Sequence, residues 1–117
     1  RRLFLNCSGI QSIDVGGLNT SNVTDMSEMF QTNANLRQID ISGMDTSKVI
    51  NMSRMFENCP NLTTIYANDS FSTASVTNSE RMFLSSTSLK GAISYDASKS
   101  DASYANYSTG YFTYKAS

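Results

Sequence analysis

Val49-Ile50-Asn51-Met52-Ser53-Arg54-Met55-Phe56-Glu57-Asn58-Cys59-Pro60-Asn61-Leu62-Thr63-Thr64-Ile65-Tyr66-Ala67 decides the fold, because its spaced apolar residues return elsewhere in the chain. The pair Met55-Phe56 recurs as Leu3-Phe4, Met29-Phe30 and Met82-Phe83, at steps of 26, 26 and 27 residues. Other positions keep that step: Val23, Val49 and Val76; Met26, Met52 and Ser79; Ile10, Leu36, Leu62 and Leu89; Ile13, Ile39 and Ile65; Val15, Ile41 and Ala67; Leu18, Met44 and Phe71. The one extra residue falls near Asn68-Asp69, where a loop absorbs it without disturbing the alignment. Self-similarity at this period marks a repeat architecture.

Within each unit, the closing L-x-x-I-x-I alternates as a half-buried strand does, which predicts short strands near residues 10–15, 36–41 and 62–67. The steps of three from Val23 through Met26 to Met29 suit a tight or 3₁₀-like corner rather than a strand or a long helix. A unit this short cannot bury its apolar side alone, whereas stacked units share one core and pair their strands in parallel. The expected fold is therefore a mainly β repeat solenoid, a right-handed leucine-rich-repeat-like coil with short parallel strands and short helical or 3₁₀ turns. Residues 1–94 form it in about four coils, the first truncated, with further repeats expected before Arg1. The Met and Phe positions are expected to be core, with Phe4, Phe30, Phe56 and Phe83 in one internal pile.

The segments Val23-Thr24-Asp25-Met26-Ser27-Glu28-Met29-Phe30 and Asp45-Thr46-Ser47, followed by Val49 through Cys59, resemble the BspA-like leucine-rich repeats of bacterial surface proteins and lipoproteins from lactobacilli, mycoplasmas and relatives. The resemblance covers residues 3–94. It implies an exterior protein, wall-anchored or lipid-anchored through segments outside this chain, whose repeats contribute to adhesion or host contact. It supplies no catalytic residues. In the last unit Ser79 replaces Met, Ser86 replaces Cys and Thr73-Ala74 replaces Thr-Ser, as expected of a degenerating terminal repeat beside a cap. The non-repetitive residues 95–117 carry Tyr95, Tyr104, Tyr107, Tyr111, Phe112 and Tyr114. They are expected to fold over the open end as a Tyr-rich capping segment that shields the last strand.

Composition narrows the function. The chain of 117 residues is 39% hydrophobic and 16% charged, which suits one folded domain. Its net charge is -1, and its nine Lys and Arg are scattered, so nucleic acid is not an expected partner. No run of 18 apolar residues exists to insert into a membrane. The absence of His removes both a zinc constellation and the usual base for a nucleophilic Ser. Neither enzyme activity nor a cofactor or metal is expected.

Individual positions carry narrower expectations. Cys7 and Cys59 share a position two coils apart, so at ~4.8 Å per coil their Cα atoms stand about 9–10 Å apart, beyond the roughly 7 Å limit of a disulfide. Both are expected to be free and buried, with Asn33 and Ser86 at the same position. Arg2, Glu28, Arg54 and Arg81 would form an exposed ion-pair ladder worth ~0–1 kcal/mol per pair. Thr20, Thr46 and Thr73 would satisfy backbone groups at the turn before each Val. Asp14 and Asp40 stack at outward strand positions as a solvated surface pair. A ligand face, if present, uses Ser12, Asp14, Gln38, Asp40, Thr64 and Tyr66, the stacked outward residues. The expected function is an adhesion or interaction module contacting a host extracellular protein or glycan; the alternative is a spacer or stalk that projects another domain.

Overall fold

A computed structural model describes residues 11–15, 20–68 and 70–115. Phe4, Cys7, Arg2, Ile10 and Leu18 lie outside the described residues, and with them the first members of several expected rows.

The structure is β-rich and built on one parallel sheet. Its strands are β1 (Ser12–Asp14), β2 (Gln38–Asp40), β3 (Thr64–Ala67) and β4 (Phe112–Tyr114), in the order β1-β2-β3-β4. Each of the first three closes one sequence repeat. Ser12 faces Gln38 and Gln38 faces Thr64; Ile13, Ile39 and Ile65 align, as do Asp14, Asp40 and Tyr66. The register thus equals the sequence period, so equivalent side chains stand over one another. The strands are shorter than the alternation suggested, because Leu36 and Leu62 sit in turns in which their amides reach Asn33 and Cys59 carbonyls.

Two further lines of hydrogen bonds tie the repeats together. Along one, isolated parallel bridges link Asp25 to Asn51 and Asn51 to Asn78. Along the other, the Met-Phe corner bonds directly to its neighbour: the amides of Met26, Glu28, Phe30 and Thr32 donate to the carbonyls of Asn51, Ser53, Met55 and Glu57 at 2.9–3.0 Å. Met52, Arg54, Phe56 and Asn58 repeat the pattern onto Asn78, Glu80, Met82 and Leu84.

Of the two forms expected at this corner, a tight turn or a 3₁₀-like one, the chain takes successive tight turns, with the Met29 and Gln31 amides on the Met26 and Glu28 carbonyls. Among the described residues the one helical element is the 3₁₀ turn η1 (Ala102–Tyr104), in the tail rather than at a corner. At the corners, Glu28, Thr32, Arg54, Asn58, Arg81 and Ser85 take φ between 57° and 64°. A 3₁₀ helix would turn every amide back on its own segment. Interrupting the turns with left-handed residues instead releases every second amide toward the next repeat. Left-handed geometry costs roughly 1–2 kcal/mol per non-Gly residue, and the cross-repeat bonds offset it.

The core follows the aligned positions. Met26, Met29, Met52, Met55, Met82, Leu36, Leu62, Leu89, Ile39, Ile65, Ile41 and Met44 are buried. Phe30, Phe56 and Phe83 form a pile, with centroids 5.4 and 5.5 Å apart and planes within 6°. Cys59 is free and buried, between Asn33 and Ser86 in its row. Hydrogen bonds run along this row from one repeat to the next. The Cys59 amide donates to Ser86 Oγ at 3.0 Å, the thiol donates to the Phe30 carbonyl at 3.1 Å, and Ser86 Oγ–H donates to the Phe56 carbonyl. A small polar side chain here closes backbone bonds that the corner leaves open. Burial pushes the Cys59 thiol up to about 11, against the lowering influence of the Asn33 amide and the Ser86 side chain.

The threonine row also bonds across repeats. Thr20 Oγ1 donates to the Asp45 carbonyl and Thr46 Oγ1 to the Ser72 carbonyl, at 2.9 and 2.8 Å. In the charged row, Glu28 is buried rather than exposed, and Arg81, beyond the part of the row that alternates in sign, pairs with Glu57 at 3.7 Å.

The tail packs onto the last repeat. β4 pairs in parallel with β3, and the Phe83 amide donates to the Ser100 carbonyl. Tyr111 lies fully buried with its ring 5.0 Å from Phe83, ending the pile, while its hydroxyl donates to the Lys99 carbonyl at 2.6 Å. Phe112 meets Phe71, Phe56 and Phe83 edge-on. Gly91 and Gly110 permit this closeness: a Cβ would stand 2.3 Å from the Tyr111 carbonyl oxygen at the first and 2.0 Å from that of Tyr104 at the second.

Candidate binding face

The alternation of each strand sends Ile13, Ile39 and Ile65 into the core and the flanking residues outward. Because the repeats are in register, those outward residues form two rows across the sheet: Ser12, Gln38 and Thr64, then Asp14, Asp40 and Tyr66. Five of these six line one shallow depression of about 200 Å³, together with Ile13 and Lys115. Thr64 stands outside it, its hydroxyl 3.3 Å from that of Thr63.

Asp40 departs from the solvated position expected of it. It is buried, and its two oxygens take different partners. Oδ1 accepts from the Ser42 amide at 2.9 Å and from the Ser42 hydroxyl at 2.5 Å, while Oδ2 accepts from Lys115 Nζ at 2.6 Å. The ammonium also lies 5.4 Å from the centroid of the Tyr66 ring. Burial pushes the Asp40 carboxyl up, but the bonds from Lys115 and Ser42 and the Lys115 charge outweigh it, so it titrates below the usual carboxylate range. The Asp40 bond and charge hold the Lys115 ammonium above its ordinary value, with Asp14 adding to the effect.

Lys115 is the residue that sequence reading missed. It follows β4, lies 75 residues from Asp40 and belongs to no repeated row, so no periodic signal marks it. Ser42 carried a legible signal. The pattern Asp/Asn-x-Ser recurs at Asp25, Asp40, Asp45, Asn51, Asn68, Asp96, Asp101 and Asn106, and each side-chain oxygen accepts the amide of the Ser two residues on. These Asx turns account for much of the Ser and Asn content.

The in-register stacking links three successive repeats, and the family relationship extends beyond them. The chain belongs to the family described as Mycoplasma protein of unknown function, DUF285, which matches residues 1–115. No curated protein and no solved structure gives a significant match.

Chemically, the face of this DUF285 chain offers hydroxyl, amide, carboxylate and ammonium groups around the edge of an isoleucine and a tyrosine ring. Among the described residues, no three His, Cys, Asp or Glu side chains converge as a metal cluster would, and no helix is long and apolar enough to cross a membrane. A second depression, beside Gln11, Ser12, Arg37 and Gln38, extends the polar surface along β1 and β2.

Proposed function

We propose that this chain is a non-catalytic interaction and adhesion module of a bacterial surface protein, folded as a right-handed leucine-rich-repeat-like solenoid of the BspA-like kind. It acts outside the cell, anchored through other segments, and its outward strand face meets a host extracellular protein or glycan. The observation that carries this reading is the pair of in-register outward rows on β1, β2 and β3, which make a continuous polar face with two depressions in it. Repeat proteins bind through such stacked surfaces because each repeat adds contact area without altering its neighbours. The parallel register at the sequence period supports the solenoid, and the Mycoplasma description of the family agrees with a bacterial source.

The Asp40–Lys115 pair favours a second reading, a spacer or stalk, since it satisfies within the chain two charges that a binding face could have offered to a partner. Immobilising the chain and screening it against mucin, fibronectin and other extracellular proteins and glycans separates the two. Saturable binding that Tyr66→Ala or Asp14→Ala weakens supports the module. No binding by this chain or by a longer one containing it leaves the spacer.

A further inference from the structure

We propose that the depression over β1, β2 and β3 is a subsite for a single neutral pyranose ring of a glycan. This deepens the interaction-module reading and rests on it. Size comes first: about 200 Å³ lies below the roughly 300 Å³ at which pockets for drug-sized ligands begin and suits one ring.

Charge selects the ligand next. Asp40 is nearly buried, its side chain 11% exposed, and Lys115 neutralises it at 2.6 Å. A cationic ligand seeking Asp40 must displace Lys115 or sit against it, and displacement without replacement leaves a buried carboxylate uncompensated. An anionic ligand meets the exposed Asp14 carboxylate. A neutral ligand leaves the ion pair intact and meets donors and acceptors at once.

A pyranose supplies the matching pattern, with hydroxyls that both donate and accept around a ring whose faces are C–H. Asp14, exposed at the end of β1, accepts from a hydroxyl. Lys115, half-exposed, keeps ammonium protons beyond the one given to Asp40, and the Gln38 amide and Ser12 hydroxyl complete the polar rim. The Tyr66 ring provides the apolar contact for the ring face. Asp40 is not a direct contact here; held by Ser42 and Lys115, it positions the ammonium.

The test is a nuclear magnetic resonance titration of the isotope-labelled chain with methyl glucoside, methyl galactoside and methyl mannoside, with glucosamine and glucuronate as charged counterparts. At least one neutral glycoside should shift the Tyr66 ring and the Gln38 side-chain amide at millimolar concentration. Asp14→Ala should weaken that binding about tenfold or more, as expected for losing a hydrogen bond to a charged group, and Ser12→Ala less. Tighter binding of either charged sugar, shifts confined to other surfaces, or indifference to Asp14→Ala would overturn the assignment. If a protein partner binds this face and no glycoside does, the sugar subsite falls while the interaction module stands; if neither class binds, both fall.

Discussion

Phe30 and Phe56 stack with centroids 5.4 Å apart and planes 6° from parallel, although a full repeat separates them in sequence. Phe83 continues the pile beyond Phe56, and Tyr111 ends it at an angle of 64° to Phe83. Offset stacks at this distance contribute roughly 0.5–1.5 kcal/mol per pair beyond the apolar area they bury. The pile is therefore a continuous element linking each repeat to the next and the last repeat to the tail.

Phe56 has a stacked neighbour on both sides, Phe30 and Phe83, so truncating it should be among the most damaging single changes in the pile. Phe56→Ala should destabilise by about 3–5 kcal/mol, and Phe56→Leu by less. Urea unfolding monitored by circular dichroism measures both.

Ser86 tests the polar row. Ser86→Ala removes the acceptor of the buried Cys59 amide and the donor to the Phe56 carbonyl, which should cost about 1–3 kcal/mol. Ser86→Cys, which restores a small acceptor and donor, should recover most of that loss in the same unfolding assay.

Cys59 should be inert while the chain is folded. With its thiol raised to about 11, only about a thousandth is thiolate at pH 8, and the sulfur is buried as well. In a Cys7→Ser background, labelling by a chromogenic disulfide reagent should be slow in buffer and rapid in denaturant. Rapid labelling of the folded chain would contradict the burial.

The tail should be separable from the repeats by a glycine substitution. Gly110→Ala places a Cβ against the Tyr104 carbonyl and Gly91→Ala places one against that of Tyr111, and backbone atoms cannot yield as a flexible side chain does. Each should destabilise by about 1–3 kcal/mol. Hydrogen exchange should show protection lost first across residues 95–115 and retained at β2.

The carboxylates set the acid limit. Asp40, Asp45 and Asp96 all titrate below the ordinary 3.8; for Asp45 and Asp96 the largest cause is the Ser47 or Ser98 amide, and for Asp40 the lowering bonds overcome its burial. A lowered folded-state value means that their contribution is fully present above pH 4 and is lost as pH falls further, through the folded-state values. Lys115, raised above 10.5, adds stability that is present below that pH and lost as pH rises through its folded-state value. Asp40→Asn should flatten the acid limb of the stability–pH curve and remove part of the alkaline limb.

What the residues disclosed in advance were the features that repeat. The aligned Met, Phe, Leu and Ile positions fixed which side chains are buried and which strands pair, because a core shared between stacked units demands the same residue at the same place. The corner was legible only as a tight turn or a 3₁₀-like one, because spacing in threes is common to both, and backbone angles such as the 60° φ of Glu28 separate them. The binding face was half legible. Its rows follow from alternation, but the contact from Lys115 to Asp40 depends on where a non-repetitive tail returns to the sheet, and no local pattern encodes that.

Everything in the fold rests on a strand register equal to the sequence period, and long-range nuclear Overhauser contacts measure it directly. Backbone contacts between Ile13 and Ile39, between Ile39 and Ile65, and between Ile65 and Phe112, together with ring contacts from Phe30 to Phe56 and from Phe56 to Phe83, are the predicted result. Contacts displaced by one or more residues, or phenylalanine rings with no contact to one another, would contradict it.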